Sequence, residues 1–519
     1  MKIFFYTAIS IVLFTLFGSC AKDKGNYDYT VLDTVSIDVS SLAESYSMLR
    51  FDTLKLKPVV KYKGQTVNGD KPQFPELSFA WEMYPSAINT SFQEKYTFDS
   101  TMALNAIMDK KEAVWTVLFT VTNTVTNVKA FAKFSVAITP SLAEGWMVLY
   151  ERGGHTDVGL IVNNDITKTA TLQEKVLLDI YSASNGEPLP GTAGSLGYSL
   201  VNLTGAHKIY IQSGGEAVSL NPTTFARIDD FSSIFWTKPA VQKPQLVKIT
   251  ERRKEFMIND NKLHVIDYTI LGNGRRAFED GLTGNYGTLA PWMATTTGAA
   301  FDAVLYDQTN KRFMKVVARG TEIIPFTTAQ NATAPYDVRN VGLTFVMADL
   351  GWNYWEHAVM KDDAGKYFLL TADFRTGEIA TIGKGKYDMS NCPEIADVNS
   401  ISAGYYGEVF YYASSKSVYQ FKYSAGTTDK HWTAPGNEKI TNISLQKYYN
   451  TNPGLGRYYD PKNICKILYI ATYDEAAQAG HVYQVEVNQS SGAIIAGTEK
   501  KYSGFGKIKA MAWKPFIIL

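Results

Sequence analysis

The chain has 519 residues, room for two to four domains at roughly 150 residues each. Its 51 basic and 50 acidic side chains nearly cancel and no Lys/Arg run occurs, which makes the chain a poor candidate for polyanion binding and excludes nucleic acid. Aromatic residues make up 13 % of the chain, with 32 Tyr and 27 Phe, a composition suited to β-sheets.

Lys2 gives the N-terminus a positive start, and Ile3 to Phe17 is then almost wholly apolar. That is the length of a signal peptide, short of the roughly 20 residues a membrane-spanning helix needs. Gly18 and Ser19 are small and lead into Cys20, so residues 17–20 resemble a bacterial lipobox, with Phe17 where Leu is usual and Leu16 one step back. Residues 1–19 then form a lipoprotein signal peptide, Cys20 the lipidation site, and 20–34 a tether. Several acyl chains anchor stably because each buried CH2 contributes about 0.8 kcal/mol.

The run CAKDKGNYDY at 20–29 carries a second resemblance. Asp23, Lys24, Gly25, Asn26, Tyr27, Asp28 and Tyr29 match the opening of PKD-like family lipoproteins of Bacteroidota. The resemblance implies a lipid-anchored outer-membrane protein, facing the cell exterior, encoded beside SusC/SusD-type uptake systems. It also implies partners: the importer proteins, other surface lipoproteins of the locus, and an oligosaccharide or oligopeptide nutrient.

Residues 35–139 read as all-β. Short β-rich runs at 35–39, 53–62, 77–84 and 94–99 are separated by Gly, Pro, Asn and Ser, and 114–139 alternates around the turn TNTVTN. An immunoglobulin-like sandwich fits, with Trp81 buried mid-strand. The PKD resemblance implies the same fold.

From Pro140 onward, residues 140–519 repeat a unit of strand, tight polar turn and strand. Copies begin at 147, 208, 255, 312, 367, 408 and 466, and several have a further strand before them. Such spacing predicts a β-propeller, of seven blades. The unpartnered strand at 506–516 is expected to close the ring against the strand that begins at Trp146.

Catalytic and metal motifs are absent: no HExxH, Cys-x-x-Cys, Walker A or GxSxG pattern occurs. No cofactor or metal is expected. The reading is a binding protein, with a propeller hydrolase acting on a glycan, or a structural scaffold of the importer, as alternatives. Paired carboxylates from different blades would leave no local motif. Binding candidates are the rings in Gly/Asn/Pro-rich segments: Tyr286, Trp292, Trp352, Tyr354, Trp432, Tyr458 and Tyr459. Trp292, Trp352, Trp432 and Tyr458 are expected on one side of the ring, whereas Trp355 is expected to be buried. Cys392 and Cys465 could pair outside the cytoplasm or stand as two buried thiols.

Overall fold

Asn123 turns the longest alternating run of the N-terminal region. Its side-chain oxygen accepts the N–H groups of Val125 and Thr126 at 3.0 and 3.2 Å, and Asn127 follows with φ 58°. Asn tolerates this left-handed conformation better than most residues. The flanking segments become neighbouring strands, Ala113–Asn123 and Lys129–Thr139. The computed structural model describes residues 33–515 apart from 51, 70–72, 87–94, 111, 140–141, 168–173, 202–205, 251–253, 269–275, 295–299 and 448–461.

These two strands lie within a five-stranded sheet ordered Ser45–Leu49, Lys129–Thr139, Ala113–Asn123, Leu77–Pro85 and Tyr96–Asp99. Trp81 is fully buried there, stacked on Phe119 at 4.4 Å, and its ring N–H donates to the Thr101 carbonyl at 2.9 Å. The run at 53–62 is not one strand. It breaks at Pro58, which has no N–H for a ladder, and its halves Thr53–Leu56 and Val59–Tyr62 join different sheets. The chain as a whole divides into two compact units, and no single cut separates them. One comprises residues up to Tyr46 with Leu54–Ala106 and Trp115–Ser135; the other comprises Ser47–Thr53, Ile107–Val114 and Val136–Leu519.

The second unit is a seven-bladed β-propeller. Seven sheets follow one another along the chain, each built mainly of antiparallel neighbours. The inner strands of blades 2 to 7 are Ala193–Val201, Pro244–Thr250, Leu289–Met293, Thr344–Leu350, Ser400–Ala403 and Lys439–Leu445. Blade 1 takes its inner strand from the far end of the chain: Lys507–Lys514 pairs antiparallel with Gly145–Arg152, placing Trp513 opposite Trp146. Inner strands touch in order around the ring, and the strand of blade 7 meets Lys507–Lys514. The expected closure is therefore present.

Each of the seven junctions between adjacent blades holds its own buried apolar cluster. Burial on both faces explains why strands such as Phe301–Asp307 are buried along their whole length instead of alternating. Strand direction then defines two faces of the ring. Inner strands begin at an entry face, where the turns between second and third strands also lie. They end at an exit face, which carries the connections from first to second and from third to fourth strands.

The repeat seen in the sequence is out of phase in two blades. The copies at 312 and 367 are the third strands of blades 4 and 5, whereas the other five are second strands. Second strands begin at 145, 206, 254, 301, 356, 410 and 467, a more even spacing. Cys392 and Cys465 are both free and buried. They sit in separate clusters, the former between blades 5 and 6 and the latter beside Leu350 and Tyr405.

Candidate functional site

Gly351 ends the inner strand of blade 5 and opens a short connection to Glu356–Lys361. A side chain at this position would place its Cβ 2.7 Å from both Ala403 Cβ and His357 Nδ1, so the close approach requires glycine. Trp352–Tyr354 form one 3-10 turn, tied by the Tyr354 N–H to the Gly351 carbonyl and the Gly351 N–H to the Trp355 carbonyl, both 2.9 Å. Asn353 and Tyr354 both adopt left-handed φ, 58° and 55°. Asparagine accepts that conformation readily; for tyrosine it costs about 1 kcal/mol or more. Tyr354 is also 37 % exposed.

Around this turn, rings and cations alternate. At the outer end, the Lys384 ammonium lies 5.7 Å from the Trp355 ring centroid. The Trp355 ring N–H donates to Asp373 Oδ2 at 3.2 Å, and Arg375 grips both oxygens of that carboxylate, at 2.9 and 3.0 Å. Burial alone would raise the Asp373 carboxyl, but the bonds from Arg375 outweigh it and hold the group below the usual range. The Arg375 guanidinium sits 6.0 Å from the Tyr354 ring, Tyr354 lies 5.1 Å from Tyr405, and the Lys447 ammonium is 5.2 Å from Tyr405. A ladder thus runs along the exit face from the outer part of blade 5 to Tyr405 of blade 6, where the buried Lys447 ends it.

Buried groups hold the ladder from beneath. Lys447 donates to Asp349 Oδ2 and the Leu350 carbonyl, both at 2.6 Å, and to the Ala403 carbonyl at 2.7 Å. These bonds tie together the inner-strand ends of blades 5, 6 and 7. His357 Nδ1 donates to the Trp355 carbonyl at 2.9 Å and Nε2 faces the Tyr423 hydroxyl at 3.3 Å. Burial pushes its imidazole down to about 4, so it is neutral at ordinary pH. Lys248, on the inner strand of blade 3, is pushed down by burial and feels the charges of Glu356, Asp349 and Lys447. Among the described residues, no group of three His, Cys, Asp or Glu side chains could hold a metal ion.

The sequence-derived candidates do not converge on one face. Tyr354 belongs to the exit-face ladder, joined by Trp355, which is half-buried and not fully enclosed, and Trp352 opens the same turn. Trp292 is a core residue: it lies in the inner strand of blade 4, 7 % exposed, packed on Phe313 and Phe345. Tyr286 precedes that strand, on the entry side, and is half-buried against the cluster between blades 3 and 4. Trp432 stands near the entry end of the outer strand Thr427–Thr433, its ring N–H bonded to Glu499 at 2.7 Å and its face 5.0 Å from Tyr483. The single-face expectation fails because 350–357 connects two strands of one blade, whereas the segments around 286 and 432 connect or approach neighbouring blades. Tyr458, Tyr459 and Cys20 lie outside the described residues. Sequence reading missed Asp373, Arg375, Lys384, Tyr405 and Lys447; the Asp-x-Arg spacing at 373–375 was the one local signal.

A PKD-like family model matches residues 20–192, running through the sandwich and the three outer strands of blade 1. No curated protein sequence matches the chain. Among solved structures, a quinonprotein alcohol dehydrogenase-like protein of Bacteroides thetaiotaomicron aligns over 92 % of this chain and 98 % of its own, at 12 % identity and TM-score 0.42. An extracellular domain from the same species, described as part of a hybrid two component system, aligns over 90 % and 68 %, at 8 % identity and TM-score 0.33. The WD40 domain of SCAP from fission yeast aligns over 61 % and 76 %, at 7 % identity and TM-score 0.34. The propeller assignment rests on strand order and ring closure, not on these likenesses.

Proposed function

We propose that this chain is a surface lipoprotein that serves as an accessory binding subunit of a SusC/SusD-type, TonB-dependent nutrient uptake complex. The observation that carries the binding role is the exit-face ladder, with Tyr354 held in a strained conformation at its centre. Strain of this kind persists only where surrounding structure imposes it, and it concentrates at ligand clamps. Flat rings beside hydrogen-bonding cations suit an oligosaccharide, and the same rings accept peptide side chains. The uptake context is supported by the run at 23–29 and by the PKD-like match over residues 20–192. Lipid anchoring is supported by the apolar segment ending at Cys20.

Ligand binding and importer association are separate tests. Trp355→Ala and Tyr354→Ala should each weaken nutrient binding by about 2 kcal/mol, roughly thirtyfold, the usual cost of truncating an aromatic anchor. Co-purification of the importer with the wild-type chain tests the partnership. Normal binding by both variants would remove the ladder from the function, and turnover of a glycan by the purified chain would favour a hydrolase.

A further inference from the structure

Charge around Asp373 does not balance. Arg375 occupies both oxygens of the carboxylate, and Lys384 brings a second cation over the Trp355 ring. Among the described residues no carboxylate lies within ion-pair distance of Lys384, although its field reaches Asp373. The Arg375 side chain keeps 35 % of its surface exposed while Asp373 keeps 7 %. What the solvent meets at this end of the ladder is therefore positive charge framing aromatic rings.

Two cation–ring pairs stand side by side here, Lys384 with Trp355 at 5.7 Å and Arg375 with Tyr354 at 6.0 Å. A neutral sugar would use the rings and leave the cations partly desolvated without recompense. A sugar that carries an acid uses both, setting its C–H face on a ring and its anionic group on the neighbouring ammonium or guanidinium. A run of acidic side chains offers the charge but no flat ring to meet the exposed Tyr354.

We infer that the exit-face ladder of blade 5 binds a short acidic oligosaccharide, one bearing carboxylate or sulfate groups on its rings. This rests on the binding role proposed above and names the ligand class of that same site. Near-neutrality of the whole chain opposes long polyanions but not this ligand, because screening confines the field to about 8 Å at physiological salt.

The test titrates the full mature chain with four probes: a galacturonate oligomer, a heparin-derived oligosaccharide, a neutral maltose oligomer and oligoglutamate. At least one acidic sugar should bind, at least tenfold tighter than the neutral one, and weaken at least tenfold on raising salt from low to 0.5 M. Lys384→Gln should cost at least tenfold in that affinity while the melting temperature holds, since Lys384 is in no ion pair among the described residues. Arg375→Lys, which keeps the charge but loses the bidentate fork, should cost less than Arg375→Gln. Equal binding of the neutral oligomer with no effect of Lys384→Gln would overturn the acidic ligand and leave the binding platform standing. Preference for oligoglutamate would overturn the sugar, and no binding of any probe would overturn both readings.

Discussion

Tyr354 is where backbone geometry and function meet in a single residue, and its strain has a measurable signature. Ala and Gly at this position both remove the ring, so both should lose ligand. At φ 55°, however, Gly should leave the chain about 1 kcal/mol more stable than Ala, reversing their usual order. Thermal melts of the two variants decide it, and equal stability would mean the turn relaxes. A second residue-scale prediction concerns His357, whose folded-state imidazole sits near 4 against an ordinary 6.5. Below pH 6.5 the unfolded chain gains a proton that the folded chain refuses, so stability falls as pH drops from 6.5 through 4. His357→Gln should flatten the dependence of melting temperature on pH in that window. Buried Asp157 and Glu255, whose carboxyls are raised by burial, act in the opposite sense, so the slope difference between wild type and variant is the readout. At this scale the sequence was only partly readable. Ring type singled out Trp352 and Tyr354, but Trp292 stands among the same Gly and Pro neighbours and is core, because burial depends on which strand of a blade a residue occupies.

Strands were more legible than side chains. The alternation around TNTVTN, the buried Trp81 strand and the closing strand near the C-terminus all follow from apolar patterning and turn residues. Phase was harder to read. Second, third and inner strands of a propeller are all apolar and short, so in blades 4 and 5 the most conspicuous strand pair was the third with the fourth. Ion pairs that join blades left no trace either: Lys254 meets Asp302 at 2.6 Å and Lys447 meets Asp349 at 2.6 Å across 98 positions. The ladder combines residues 354, 355, 373, 375, 384, 405 and 447, and only the turn at 351–355 is contiguous. One element-level prediction follows from closure. Deleting 507–519 removes the inner strand of blade 1 and bares the edge of Gly145–Arg152. Cooperative melting of residues 140–519 should be lost, and a truncated protein that melts like the intact one would show that the ring is held without it.

At the scale of the whole molecule, one variant tests location. Cys20→Ala should shift the chain from membrane to soluble fractions, or leave it unprocessed, without changing its melting profile. Unchanged fractionation with an acyl-modified mass would end the lipoprotein proposal. Protease shaving of intact cells separates exterior from periplasmic orientation, with full protection meaning the latter. No helix among the described residues is long and apolar enough to cross a membrane.

The pairing of Trp146 with Trp513 also sets a schedule for the molecule's birth. Ala143 and Lys514, hydrogen-bonded in the finished ring, are 371 positions apart. At about 5–20 residues per second, the strand made first waits roughly 20 to 75 s for the strand made last. Until the last strand is in place, the edge of Gly145–Arg152 has no partner on that side. A chaperone that shelters this edge would recognise the chain only while it is being made or exported, and would have no affinity for it afterwards.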